Sequence, residues 1–155
     1  MYADYEFYKT EYYGGVIPED SFPKFAELAS DHLDIITFGR LENGLPTDEK
    51  AAKRVKKAVC AVAEALYYIN QVRAAGMEGV GNTVSASGQV TGKTIKSKTA
   101  GQESVTYENG TGGTDIYSRA ATDKATETAL IFSTAREYLS GVTTDQGISL
   151  LYAGM

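Results

Sequence analysis

The chain has one histidine, His32, and one cysteine, Cys60, so a Cys–His nucleophile would have to bring these two together. His32 falls on the apolar face of a predicted helix and reads as a satisfied core or interface histidine rather than a ligand or general base. Cys60 lies in the middle of another helix and reads as a small apolar residue. One His and one Cys make a zinc site only with two carboxylates, and no ligand spacing points to one. The segment Ser87–Thr94, SGQVTGKT, comes near a phosphate loop but has Ser87 where the first glycine belongs. No buried strand precedes it and no apolar helix follows. Gly79–Val80–Gly81 lacks the third glycine of a dinucleotide fingerprint. Asn109–Gly110–Thr111 matches a glycosylation sequon, which has no consequence without a secretion signal. The sequence therefore predicts no catalytic residue, no cofactor, no metal and no enzyme.

Two basic clusters remain. Lys50, Lys53, Arg54, Lys56 and Lys57 crowd the start of one helix, and Lys93, Lys96 and Lys98 lie in a glycine-rich segment. They read as solvated faces, or as contacts for an acidic partner: another protein's surface, or DNA touched lightly in passing. The net charge of −5 disfavours broad nucleic-acid binding. A single cysteine excludes an intramolecular disulfide. No apolar run approaches the ~20 residues of a membrane span, and acids and tyrosines stand where a signal peptide would be basic and apolar. The expectation is a soluble protein made in a cytoplasm, with no membrane partner.

These residues must be positioned by one domain, the size expected of 155 residues. Its organising stretch is Thr47–Ala75. Val55, Val59, Val62, Leu66 and Ile69 recur at steps of four and three, one face of a helix. Thr47 is the predicted N-cap and Gly76 the predicted stop. Cys60, Ala61, Ala63 and Tyr67 make the opposite side weakly apolar too, and such a helix is covered on more than one side. That second cover is either a neighbouring subunit or the domain's own core. Glu64, the only charge between Ala58 and Ile69, could pair across a subunit boundary with Arg119 or Arg136.

Met1–Gly15 is too irregular in its aromatics for a clear helix or strand. It reads as an arm docking through Tyr2, Tyr5, Phe7 and Tyr8 on the body or on a neighbour. Asp20 or Ser21 caps a helix with the stripe Phe22, Phe25, Ala29, His32, Leu33 and Ile36. Gly76–Gly113 holds more than half of the chain's 16 glycines and reads as a long loop, with a short hairpin of Lys93–Lys98 and Glu103–Tyr107. A third helix carries Tyr117, Ala121, Ala125, Thr128, Phe132, Ala135 and Leu139 on one face. Leu130 points away, as harmless exposure or as a neighbour contact. The apolar tail, Ile148, Leu150, Leu151 and Tyr152, should dock somewhere. The predicted fold is mainly α: a small bundle of three main helices with a long Gly/Ser/Thr-rich loop containing a short β-hairpin, and extended termini. Its parts are an arm (1–19), a helix (20–38), the central helix (47–76), the loop and hairpin (77–113), a helix (114–141) and a tail (142–155).

The opening MYADY, the helix exit ITFGR (Ile36–Arg40), KAVCAVAEALY (Lys57–Tyr67), SVTY (Ser104–Tyr107) and the ending YLSG…LLYAGM (Tyr138–Met155) occur in one order. In these motifs and their order the chain resembles the head–tail connector (portal adaptor, head-completion) proteins of tailed bacteriophages and prophages of Gram-positive bacteria. Ala153 stands where the family ending usually carries a basic residue, and Val142–Ser149 is longer than usual. The resemblance implies a small helical bundle with a protruding loop. Copies assemble as a homo-oligomeric ring, commonly a dodecamer, between the portal protein and the next tail-side connector or stopper. Double-stranded DNA passes through the lumen without sequence-specific binding. The implied place is the virion, and the host cytoplasm during assembly. Such proteins do no chemistry; they extend the DNA channel, help retain packaged DNA and present a tail attachment surface. By that resemblance Leu150, Leu151 and Tyr152 contact the portal or a neighbour, with Ile148 beside them. Tyr2, Tyr5, Cys60, Glu64, Tyr67 and Leu130 fall to subunit contacts. The loop Ile95–Tyr107, with Lys96, Lys98 and Val105, reaches an adjoining ring. The alternative is another tail-completion protein or a helical protein-interaction module.

Overall fold

The computed structural model describes the backbone of residues 1–78, 80–84, 90–94, 97–100, 103–106 and 116–151, with side chains for 1–75 and 116–151. It is a mainly helical bundle. The helices are α1 (Tyr5–Thr10), α2 (Phe22–Ile36), α3 (Glu49–Glu78), α4 (Ile116–Thr122) and α5 (Lys124–Leu139). Between α3 and α4 the backbone pairs as two antiparallel ribbons. Val80–Val84 runs against Val90–Thr94, and Ser97–Ala100 against Glu103–Thr106. Lys93 thus faces Gly81, not the Glu103–Tyr107 segment.

α3 is the axle, in contact with all four other helices. Val55, Ala58, Val59, Val62 and Ile69 are buried as their spacing predicts, each large side chain contributing about 1.5–3 kcal/mol of burial. The opposite side is buried as well. Cys60 and Ala63 have no exposure, and Ala61 almost none. The second cover is the chain itself, so the bundle needs no neighbouring subunit to hide the middle of this helix. α3 starts one turn-position later than expected: the Asp48 carboxylate accepts from the Ala51 amide (2.8 Å), the N-cap role assigned to Thr47. At the other end it runs through Gly76 to Glu78 instead of stopping there.

The arm is helical. Asp4 caps it by accepting from the Phe7 amide (2.8 Å), which sets six residues turning and places Tyr8 fully inside the core. Tyr5, Tyr8, Tyr12 and Phe22 form a chain of rings with centroids 4.8–5.8 Å apart. Gly14 sits against the face of the Tyr8 ring, where any Cβ would collide with it.

The single predicted helix over 114–141 is two. Asp123 leaves helical geometry and caps α5, accepting from the Ala125 (3.3 Å) and Thr126 (2.9 Å) amides. The restart changes which residues face inward. Glu127, Ile131, Ala135 and Leu139, four residues apart each, are buried, while Ala125, Thr128 and Phe132 of the predicted stripe are exposed. A charged residue at a core position hid this face. Glu127 is held by Arg73 (3.0 Å) and Lys124 (2.9 Å), and Arg73 also donates to the Ala121 carbonyl (3.0 Å), pinning α3 to the α4–α5 elbow.

Candidate interaction surface

His32 is half-buried at the edge of a groove between α2 and α5, beside Ile35, Ile36, Phe38, Ile131 and Phe132. Burial first, and then the charge of Lys124, hold its imidazole below the ordinary range. Cys60 is wholly inside the core, its thiol pushed up to about 12 by burial and by the charge of Glu64. A thiol so placed is not a nucleophile at neutral pH, and it touches no partner surface. Among the described residues no three His, Cys, Asp or Glu side chains converge on a metal-binding arrangement, and no helix is long and apolar enough to cross a membrane.

Glu64 is used within the chain. Its Oε1 accepts from the Tyr8 hydroxyl (2.7 Å) and its Oε2 from the Tyr12 hydroxyl (3.3 Å), so the predicted pairing with Arg119 or Arg136 of a neighbour gives way to two tyrosines of its own arm. The Tyr8 hydroxyl also accepts from the amides of Val16 (3.0 Å) and Ile17 (3.1 Å). Burial first, and then the Glu64 carboxylate, push Tyr8 up to about 12 and Tyr12 higher still, so both stay protonated donors. Tyr2 does the same at the other end of the arm, donating to Asp34 (2.6 Å).

The basic cluster on α3 is also largely committed. Lys53 pairs with Glu11, Lys56 lies 5.3 Å from the Phe7 ring centroid, and Arg54 donates to the Ser140 carbonyl (2.8 Å). Lys53 and Lys56 fasten the arm to α3, and Arg54 ties α3 to the end of α5.

The other predicted contact residues divide. Leu150, predicted as a portal or neighbour contact, is instead fully buried in the core of the chain itself and offers no surface. Tyr5, Tyr67 and Leu151 are half-buried against the core, with Tyr67 edge-on to Phe25 at 5.3 Å, and Leu130 is half-buried on α5. Ile148 is 43% exposed. Lys98 and Val105 face each other across the second ribbon. Ile95, Lys96, Tyr107 and Tyr152 lie outside the described residues.

The structure adds two residues that the sequence reading passed over. Among the described residues, the only non-glycine positions with positive φ are Tyr13 (62°) and Phe38 (58°), and their side chains are 82% and 58% exposed. Phe38 occupies the position after the C-cap of α2 in a Schellman turn. Its amide donates to the Ile35 carbonyl (3.2 Å) and the Gly39 amide to the Asp34 carbonyl (2.8 Å). Glycine ordinarily fills that place, because a Cβ there costs about 1–2 kcal/mol. The chain instead spends this strain on holding an aromatic ring in water, next to exposed Ile35.

A second feature organises the same end of the bundle. After α5 the tail makes a small hairpin closed by the Thr143–Ser149 bridge, and the Asp145 carboxylate accepts from both the amide and the hydroxyl of Thr47 (2.8 Å each). These bonds hold the Asp145 carboxyl below its ordinary range. Arg40, the last residue of ITFGR, donates to the Leu150 carbonyl (3.2 Å) and stacks on the Phe38 ring at 5.3 Å. Two of the motifs noted in the sequence, ITFGR and the ending, therefore meet in space.

Compared with models of protein families, with curated proteins and with solved structures, the chain finds no match.

Proposed function

We propose that this chain is a structural assembly protein that works through its surface: a head–tail connector subunit that joins copies of itself into a ring under a phage portal and offers the next tail component a seat. The observation that carries the reading is the pair Tyr13 and Phe38, two exposed aromatic rings held in left-handed backbone on different parts of the protomer. Strain of this kind persists where the surroundings over-determine it, which points to use at an interface. Two distinct apolar patches are also what a ring requires, since its head-to-tail contacts join unlike surfaces. The ordered motifs of the sequence support the same reading, and ITFGR and the ending are the pair joined through Arg40 and Leu150. Ile148 and Leu151, with Tyr152 beyond them, are the proposed portal or neighbour contacts. The segment Ile95–Tyr107 is the part proposed to reach an adjoining ring. DNA in the lumen is passed, not read.

Sedimentation with and without a portal ring tests this. The expected result is a slowly sedimenting protomer alone, co-sedimentation with portal, and loss of co-sedimentation in Tyr13→Ser and Ile148→Ser while both stay folded. Absence of co-migration at every salt concentration overturns the connector reading. Self-association without portal binding would favour a helical protein-interaction module instead.

A further inference from the structure

The groove between α2 and α5 is walled by His32, Ile35, Phe38, Ile131 and Phe132, and none of the described residues fills it. Its volume of about 260 Å³ lies below the roughly 300–1,000 Å³ of small-molecule sites and suits one large side chain. Two polar groups interrupt the apolar lining. The Thr128 hydroxyl already donates to the Lys124 carbonyl (2.9 Å). The His32 imidazole is kept neutral at pH 7 by burial and then by the charge of Lys124, so one ring nitrogen donates and the other accepts. An occupant with an aromatic body and a single polar tip meets both demands, and that is a tyrosine.

Tyr13 is a tyrosine held out for such use, 82% exposed on a left-handed backbone. The arm lies on the other flank of α5: the Tyr12 ring is 6.5 Å from that of Tyr138. Six residues separate Tyr138 from Phe132, which turns it roughly 120° around the helix from the groove. The Tyr13 end of a protomer thus lies away from its own groove. The charges beside the two surfaces match as well. Next to Tyr13 stands the exposed pair of Lys53 and Glu11. On the rims of the groove stand Asp31, beside His32 on α2, and Arg136, one turn beyond Phe132 on α5. Neither makes an ion pair among the described residues.

We propose that Tyr13 of one copy seats its ring in the α2–α5 groove of the next copy, with its hydroxyl bonded to the His32 imidazole. The contact joins unlike surfaces, so each added copy leaves one ring and one groove open and the series runs head to tail. The inference rests on the reading of the chain as a ring-forming subunit and names the contact that joins its copies. One aromatic side chain buries ~150–250 Å², against about 800 Å² per partner in a stable interface. Free copies therefore meet weakly, and a portal gathers them.

The test is a nuclear magnetic resonance titration between two variants of the full chain. The single histidine gives ring signals that belong to the groove without ambiguity. Tyr13→Ser, isotope-labelled at histidine, has a groove and no ring to offer; unlabelled Ile35→Ser/Phe38→Gly has the ring and a spoiled groove. All three side chains are exposed, so both variants keep the fold. The expected result is a progressive shift of the His32 signals as the second variant is added to high concentration. The labelled chain alone should show no shift on concentration, and adding the second variant with Tyr13→Ser built in should cause none. With Tyr13→Phe built in, binding should weaken about fivefold, the loss of one hydrogen bond. His32 signals that stay put, or that move equally with a titrant lacking Tyr13, overturn the proposal, and so does movement of the labelled chain on its own. Equal binding by Tyr13→Phe overturns the bond to His32. No portal is present, so the two readings fail separately. Co-sedimentation with portal beside unmoved His32 signals sinks this contact alone; moved signals without co-sedimentation sink the connector reading alone.

Discussion

Replacing Tyr8 by phenylalanine keeps every ring contact of the arm and removes one oxygen. That oxygen donates to Glu64 (2.7 Å) and accepts from the Val16 and Ile17 amides (3.0 and 3.1 Å). A hydrogen bond to a charged group contributes ~1.5–3 kcal/mol and a neutral one ~1 kcal/mol. Because Glu64 is only half-buried, the lower end applies to it. Ile17 is buried, so its amide is left without water to replace the hydroxyl, at ~1–3 kcal/mol. The three losses overlap, and we expect Tyr8→Phe to cost about 3 kcal/mol in total. This is a large fraction of a domain stability of about 5–15 kcal/mol. Urea unfolding reads it directly: the midpoint should fall by about 1–2 M with the slope unchanged. Combining Tyr8→Phe with Glu64→Gln should show a coupling of about 1–2 kcal/mol. Tyr13→Phe, which removes an oxygen from an 82% exposed ring, is the control and should stay within about 0.5 kcal/mol of wild type. A Tyr8→Phe midpoint indistinguishable from that control, or strict additivity with Glu64→Gln, would refute the assignment of the hydroxyl as the arm's anchor.

Other perturbations follow from the same geometry. Tyr8 is raised from 10.0 to about 12, so the stability it contributes is complete below pH 10 and is lost as pH rises through 12; tyrosinate absorbance should show late-titrating residues coincident with unfolding. Gly14→Ala places a carbon inside the Tyr8 ring and should cost roughly 2–3 kcal/mol, with loss of near-ultraviolet dichroism from the aromatic cluster. Arg73→Met leaves Glu127 with Lys124 alone and should destabilise by about 2 kcal/mol. Glu127 is held below its ordinary value, burial opposing and the bonds from Arg73 and Lys124 prevailing, so its contribution is present above pH 4.5 and lost below. Arg73→Met should therefore flatten the acid limb of a stability–pH curve. Phe38→Gly relieves about 1–2 kcal/mol of left-handed strain and returns about 0.5–1 kcal/mol as extra chain entropy, so thermal unfolding should move up by a degree or two.

The sequence disclosed what hydrophobic spacing controls and concealed what capping and polar burial control. α3 was plain because Val55, Val59, Val62, Leu66 and Ile69 keep one phase over a long run. α1 was not, because six residues are too few for a period and its start rests on one aspartate. The α4–α5 break was hidden for the same reason: Asp123 is an ordinary polar residue until its side chain turns back on the Thr126 amide. Glu127 misled the inward face of α5, since no pattern of apolar residues predicts a buried carboxylate whose partner, Arg73, stands 54 positions away. Among the surface candidates, Ile148 was visible as an apolar tail residue. Phe38 was not, because what marks it is a backbone angle and the terminus of a helix, not its neighbours in the chain. Cys60 and Leu150 read as contacts only because composition cannot say which of two apolar sides is already taken.

The ties at the tail have a mechanical meaning. A pull applied at Leu151 meets Arg40 through the Leu150 carbonyl, and Thr47 through Asp145 at the tip of the small hairpin. Tension is thereby shared between the segment leading into the 30-residue α3, the exit of α2 and, through the Leu150–Val142 bond, the end of α5. The bundle is braced against a pull on its tail.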